Sequence, residues 1–257
     1  MFSWLRPGRS FRIVAHRGSS AAAPENTLAA FRRAVEEGAD AVELDVRLSA
    51  DGEVVVIHDA TVRRTTDGRG TVAGTTLTAL RRLDAGAWRA PRFAGERIPT
   101  LAEVLAEIPP SVGLNVELKP GRARGSGPAL VERTGRILAA AHRDPSILVT
   151  SFQHGLIARF KELHPSIPTG ILLHPLRAGS RSPVRAARAI GAEYIVFGSR
   201  TLTKRLTRRA HEEGLRVAEY TVDTEARLRR ARRYGVDAVI TNVPVTMRRF
   251  ATRYGEV

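Results

Sequence analysis

The chain has 257 residues, 43% of them hydrophobic, a formal net charge of +15 and no cysteine. That length suits one parallel α/β barrel of about 250 residues and buries a core without help from disulfides or a structural metal, while the lack of cysteine excludes disulfides and thiol catalysis. No apolar run reaches the roughly 18 residues of a membrane span, and Met1 to Arg12 lacks the continuous apolar stretch of a secretory leader; the expected compartment is the cytoplasm, a removed leader being the alternative.

Short β-branched runs alternate with Ala/Arg/Leu-rich stretches. In chain order the predicted strands are Arg12–His16, Ala41–Val46, Val54–His58, Leu114–Leu118, Ile147–Ser151, Thr169–Leu173, Tyr194–Phe197, Arg216–Tyr220 and Ala238–Thr241. The helices predicted between them are Thr27–Glu37, Leu101–Glu107, Pro128–Ala141, Gly155–Leu163, Val184–Ile190, Thr203–Glu213 and Glu225–Tyr234. Strand-then-helix repetition implies a parallel sheet covered by helices, and the expected fold is a (β/α)8 barrel forming a single domain over residues 1–257. The strand list is one too long for it. The link Arg47–Glu53 holds the turn pair Asp51-Gly52 and is too short for a crossover helix. The expectation is that the chain returns there as a short extended piece and that one candidate at an end of the chain lies outside the barrel. Residues 59–98, with five glycines, Pro91 and a helical piece near Leu77–Leu83, break the alternation and read as an inserted excursion or small subdomain.

Strand Ala41–Val46 places Glu43 and Asp45 on one face and Val42, Leu44 and Val46 on the other. The apolar set faces the covering helices, so the carboxylates face the barrel interior. Neighbouring carboxylates repel and are costly to desolvate; a hard divalent cation resolves both problems. Strand Leu114–Leu118 repeats the theme with Glu117, followed by Lys119 on the same face. His16 and His58 close two other strands. In barrels of this type catalytic groups gather at the C-terminal strand ends. The set suits phosphodiester cleavage: a Ca²⁺ or Mg²⁺ site at Glu43, Asp45 and Glu117, proton transfer by two imidazoles, and Arg17 and Lys119 as donors to non-bridging oxygens. Of the other histidines, His154 and His174 lie near strand ends, while His142, His164 and His211 read as surface or core residues. The basic residues are scattered in pairs and not interleaved with aromatics, so no nucleic-acid partner is expected; attraction to anionic substrates or a membrane surface remains open. Oligomeric state is not legible.

In order along the chain stand His16-Arg17-Gly18, Pro24-Glu25-Asn26-Thr27, Glu43-Leu44-Asp45-Val46, Asp51-Gly52 leading to His58-Asp59, Arg64-Thr65-Thr66-Asp67-Gly68, Arg97-Ile98-Pro99-Thr100-Leu101, Val116-Glu117-Leu118-Lys119, Ser151-Phe152 and Gly235-Val236-Asp237-Ala238 with Ile240-Thr241. Together these motifs resemble the glycerophosphodiester phosphodiesterase family. The resemblance implies a barrel with a small insertion, Ca²⁺ or Mg²⁺ on Glu43, Asp45 and Glu117, His16 and His58 as general acid and base, and Arg17 and Lys119 on the phosphate. It implies glycerophosphodiesters as substrates, cleaved to glycerol phosphate and an alcohol. A related lysophospholipase D or wall-polymer phosphodiesterase, and a non-catalytic barrel that binds anionic ligands, are the alternatives. Asn26 is expected as a helix N-cap with Glu25 at the positive helix end. Two positions depart from the family pattern. Tyr220 replaces a tryptophan before Thr221-Val222 and would line the alcohol site, where its smaller ring and its hydroxyl would alter head-group choice. Thr241-Asn242 replaces Thr-Asp, which puts a structural or orienting contact in question.

Overall fold

A computed structural model describes residues 3–4, 11–121, 123–173 and 182–253. In chain order the elements are β1 (Arg12–His16), α1 (Leu28–Glu36), β2 (Ala41–Leu48), β3 (Val54–Val56), α2 (Leu77–Leu80), α3 (Leu101–Glu107), β4 (Gly113–Leu118), α4 (Ser126–Ala140), β5 (Ile147–Ser151), α5 (His154–Leu163), β6 (Thr169–Leu172), α6 (Pro183–Ala189), β7 (Tyr194–Gly198), α7 (Lys204–Glu212), β8 (Arg216–Tyr220), α8 (Glu225–Tyr234), β9 (Ala238–Thr241) and α9 (Pro244–Arg253). The strands other than β3 run parallel in the order β1-β9-β8-β7-β6-β5-β4-β2, and the β1–β2 pairing closes the barrel. The expectation that an end strand would be left out is corrected, because β1 and β9 pair with each other. The surplus strand is β3, antiparallel to β2. Helix α9 was not anticipated; its buried Pro244, Met247 and Ala251 follow helical spacing.

Alternation along each strand builds two cores. Outward residues such as Ile13, Leu44, Val116, Val149, Ile195 and Val239 pack on the helices. Inward residues Val14, Leu148, Leu172, Val196, Ala218 and Ile240 fill the barrel. Trp4 plugs its N-terminal end. The indole is buried, and its Nε1 donates to the carbonyls of Leu114 and Ser146 at 3.1 and 3.0 Å. The Tyr194 hydroxyl donates to the Trp4 carbonyl at 2.9 Å. The polar inward residues are thereby left to the C-terminal end.

Strand β2 is longer than β1, and this positions the site. Its first part pairs with β1, with His16 opposite Glu43. Its last part pairs with β3, with Val56 opposite Val46. Because β3 runs antiparallel, the ends of β1 and β3 point toward each other along the same edge of β2. Residues 59–98 then leave the barrel, hold two 3-10 turns and α2, and carry a small apolar cluster of Val62, Val72, Leu80, Ala85 and Ile98 that joins Val55 and Ile57.

Candidate active site

His16 and His58 arrive from opposite directions, one at the end of β1 and the other just past antiparallel β3. Both line a cavity of about 230 Å³ that also touches Arg17, Glu43, Glu117, Lys119 and Tyr220. Asn115 and Thr150, which the sequence reading did not single out, line it too, as does Phe152 of the Ser151-Phe152 motif.

Glu43, Asp45 and Glu117 each place a carboxylate oxygen within 4.8 Å of the others, and all three are buried. Glu117 lies directly across from Asp45 in the β2–β4 register. Lys119 Nζ sits 2.8 Å from Glu117 and 3.4 Å from Asp45, and Arg17 Nε is 3.3 Å from Asp45. Burial, then the charges of Asp45 and Glu117, push Glu43 well above the usual carboxyl range. Burial and Asp45 push Glu117 up to about 7. Burial would raise Asp45 as well, but Lys119 and Arg17 outweigh it and its pKa lies below the ordinary value. Asp45 Oδ1 is buried without a hydrogen-bond partner among the described residues. A buried carboxylate oxygen with no hydrogen bond, only the Lys119 charge 3.4 Å away, beside two crowded carboxylates is the donor set that a hard divalent cation satisfies.

Arg17 and Gly18 turn the chain after β1 with left-handed φ values of 56° and 80°. A Cβ on Gly18 would stand 2.6 Å from the Ala30 backbone, so only glycine fits this turn. The turn aims the Arg17 amide at Glu43, at 2.9 Å.

The expected N-cap role of Asn26 is corrected. Thr27 caps α1, accepting from the Ala30 amide. Asn26 is buried at φ 58°, donates to Asp45 Oδ2 at 2.9 Å and accepts from the Asp45 amide. Glu25 likewise does more than face a helix end. It takes Arg17 at 2.8 Å and both terminal nitrogens of Arg64 at 2.7 Å. Arg64 Nε also donates to Asp59 at 2.6 Å, and Asp59 accepts from His58 Nδ1 at 2.7 Å. One network therefore runs from His58 through the insertion's Arg64 to Glu25, Arg17 and Asp45.

His16 Nδ1 is 2.7 Å from Asn242 Oδ1, so the Thr241-Asn242 departure falls within the site. Burial and the Arg17 charge lower the His16 pKa; burial also lowers that of His58, against the raising charge of Asp45. The Tyr220 hydroxyl, expected to influence head-group choice, donates to the Leu173 carbonyl at 3.0 Å, so the ring is what faces the cavity. That ring stands edge-on to Phe152 with centroids 6.3 Å apart. His154 does not line the cavity and pairs with the Leu172 carbonyl; His174 lies outside the described residues.

The profile of the glycerophosphoryl diester phosphodiesterase family matches residues 16–246. Protein YhdW of Bacillus subtilis (strain 168) is 40% identical over 233 residues, spanning 90% of this chain and 94% of its own. The glycerophosphodiester phosphodiesterase of Caldanaerobacter subterraneus subsp. tengcongensis is 37% identical over 236 residues, spanning 91% and 95%. Among solved structures, an Oleispira antarctica phosphodiesterase in complex with the product sn-glycerol-3-phosphate matches with a TM-score of 0.88 and 30% identity, covering 95% of this chain and 97% of that one.

Proposed function

The chain belongs to the glycerophosphoryl diester phosphodiesterase family, and from this premise we propose that it releases glycerol 3-phosphate from glycerophosphodiesters by metal-dependent acid–base catalysis with His16 and His58. The observation that carries this reading is the convergence on one cavity of two imidazoles and of Glu43 and Glu117, which cluster with the buried Asp45 behind them. Glu43, Asp45 and Glu117 would hold Ca²⁺ or Mg²⁺. When bound, such a cation neutralises phosphate charge and lowers the pKa of a coordinated hydroxyl.

The chain's own residues supply the rest. Arg17 and Lys119 line the cavity and carry donors suited to non-bridging phosphate oxygens. One imidazole takes the proton of the nucleophile, either water or the substrate's own glycerol hydroxyl, and the other returns a proton to the departing alcohol oxygen. The lowered pKa values of the histidines favour the neutral ring that takes the nucleophile's proton, while the ring that gives a proton to the departing oxygen must carry it when the reaction begins. Asp59, on His58 Nδ1, supports a positive charge on that ring once it forms. Tyr220 and Phe152 offer ring surfaces to the leaving alcohol.

The cavity volume fits a small head group. A larger cleft of about 510 Å³ is lined by Leu48, Val72, Ala73 and Leu130 among others, but it shares no described lining residue with the site. This favours soluble glycerophosphodiesters over lysophospholipids or wall polymers. The test is release of glycerol 3-phosphate from a panel of glycerophosphodiesters, first with EDTA and then with Mg²⁺, Ca²⁺ or Mn²⁺ restored. Cleavage lost to EDTA and regained with one metal is the expected result. Undiminished cleavage in EDTA overturns the metal assignment, and no cleavage with any metal overturns the substrate class.

A further inference from the structure

The ends of β8, β9 and β1 are neighbours in the barrel, and they carry three side chains in series. Asp223 follows β8, Asn242 follows β9, and His16 ends β1. Asp223 accepts from the Thr241 hydroxyl at 3.0 Å, from the Asn242 backbone amide at 2.8 Å and from Asn242 Nδ2 at 2.7 Å. On its far side, Asn242 Oδ1 receives the Ser20 hydroxyl at 2.9 Å and meets His16 Nδ1 at 2.7 Å.

The orientation of a side-chain amide follows from its partners. An ionised carboxylate only accepts hydrogen bonds. The end of Asn242 that touches Asp223 must therefore be the NH2 group, since a carbonyl oxygen there would face carboxylate oxygens with no proton between them. This directs Oδ1 at His16. A carbonyl oxygen also only accepts, so His16 Nδ1 must carry the hydrogen. In a neutral imidazole the other nitrogen is then bare. That nitrogen, Nε2, lies 3.9 Å from Glu43, on the side of the carboxylate cluster.

We propose that Asp223 and Asn242 are positioning residues that lock His16 in its Nδ1–H tautomer and keep the Nε2 lone pair turned toward the carboxylates. The kinetic consequence rests on the acid–base reading above; the tautomer itself does not. His58, held by a carboxylate through Asp59, needs no such relay, because an acceptor-only partner fixes its tautomer directly.

The relay predicts the effect of exchanging its members. In Asp223→Asn, the new amide keeps its oxygen on the Thr241 hydroxyl and the residue 242 backbone amide, so its NH2 faces the NH2 of Asn242. Two donors cannot share a hydrogen bond, and the Asn242 amide turns over. His16 then meets an NH2 group and shifts to the Nε2–H tautomer. In the reciprocal exchange, Asp223→Asn with Asn242→Asp, an amide donates to a carboxylate that accepts from His16, and the Nδ1–H tautomer returns with every hydrogen bond kept.

The test is long-range ¹H–¹⁵N correlation spectroscopy of the histidine rings in the full chain, with the His16 signals identified by their loss in His16→Gln. The wild type should show a protonated Nδ1 and a bare Nε2. Asp223→Asn should reverse the pattern and lower kcat by on the order of 10⁴-fold, as a wrong-tautomer histidine does elsewhere, with less effect on KM. The double exchange should restore the pattern and most of kcat. A protonated Nε2 in the wild type overturns the proposal. So does an unchanged His16 pattern in Asp223→Asn, or a folded double exchange as slow as the single variant. If Asp223→Asn fails to fold, the wild-type spectrum and the double exchange decide. If the wild type cleaves no glycerophosphodiester, the function reading falls while the tautomer result stands by itself.

Discussion

Replacing Arg64 with alanine should slow catalysis far more than it weakens the fold. Arg64 is not among the cavity-lining residues, but it makes hydrogen bonds of 2.6–2.7 Å to Asp59 and Glu25. Its loss releases the carboxylate that holds His58 and half of the clamp on Glu25, which in turn holds Arg17. The side chain is 44% exposed, so the ion pairs contribute only about 1 kcal/mol to stability. Loss of a partner that orients a functional histidine costs about 10–100-fold in activity, or roughly 1.4–2.8 kcal/mol in the barrier. Arg64→Lys keeps the charge but lacks the planar fork that spans two carboxylates, and should recover only part of the rate. Steady-state kinetics with urea unfolding of both variants is the assay. A raised KM with unchanged kcat would mean that Arg64 binds substrate directly, and a stability loss above about 3 kcal/mol would mark it as a structural residue; either result refutes the positioning argument.

Burial would raise the Asp59 carboxyl, but Arg64 and His58 hold it down to about 2 against an ordinary 3.8; the stability it contributes is present above about pH 4 and lost as the pH falls toward 2. A carbon-13 titration of Asp59 should give that low midpoint in the wild type and a higher one in Arg64→Ala. Tyr220→Phe should leave the head-group ranking unchanged, because the hydroxyl is spent on the Leu173 carbonyl and burial keeps it neutral, with a pKa pushed up to about 12; Tyr220→Ala, which removes the ring, should raise KM, and a changed ranking in the phenylalanine variant would return the hydroxyl to the alcohol site. Trp4→Ala should cost about 3–5 kcal/mol in urea unfolding with kcat nearly unchanged, since the indole closes the barrel at the end away from the chemistry. With Glu117 raised to about 7 and Glu43 raised as well, Mg²⁺ or Ca²⁺ must displace protons to bind, so affinity should rise with pH through about 7; calorimetry in two buffers of different ionisation heat should register the released protons, and identical heats would contradict it.

The barrel was legible because each strand declares its two faces. Glu43 and Asp45 between Val42, Leu44 and Val46 leave one way to fold β2, and the same holds for Glu117 between Val116 and Leu118. The short return after Asp51-Gly52 was legible too, but not that this return is itself the surplus strand, because a three-residue antiparallel piece has the same β-branched composition as a parallel strand; only the register shows β3 taking over the edge of β2 where β1 stops. The residues that surround the site escaped for a different reason. Asn26 sits one residue before a helix and reads as a cap, yet its partner Asp45 lies on another strand. Glu25 and Arg64 are 39 residues apart and meet only because the insertion folds back. Asn242 pairs with His16 across 226 residues. No periodicity encodes such pairings. The signal available was the company they keep, since Pro24-Glu25-Asn26-Thr27 and Arg64-Thr65-Thr66-Asp67-Gly68 stood among the motifs without a chemical role that composition could give them.

The net charge of +15 points the wrong way when applied to the site. A basic exterior draws anions toward the molecule, but at the mouth a phosphodiester meets three clustered carboxylates. Arg17 and Lys119 face those carboxylates at 3.3 and 2.8 Å and already have part of their charge answered by them. Fully ionised, three negative charges against two positive leave the cluster negative, and a negatively charged substrate would be repelled at the point where it must react. One divalent cation on the proposed site would reverse that sign and free the two basic side chains to serve the phosphate. Cation and substrate should therefore strengthen each other's binding, as linkage requires of any pair of ligands that share a field. The arginines scattered over the outer helices cannot substitute for the cation, since at an ionic strength of 0.15 M their influence is screened beyond about 8 Å.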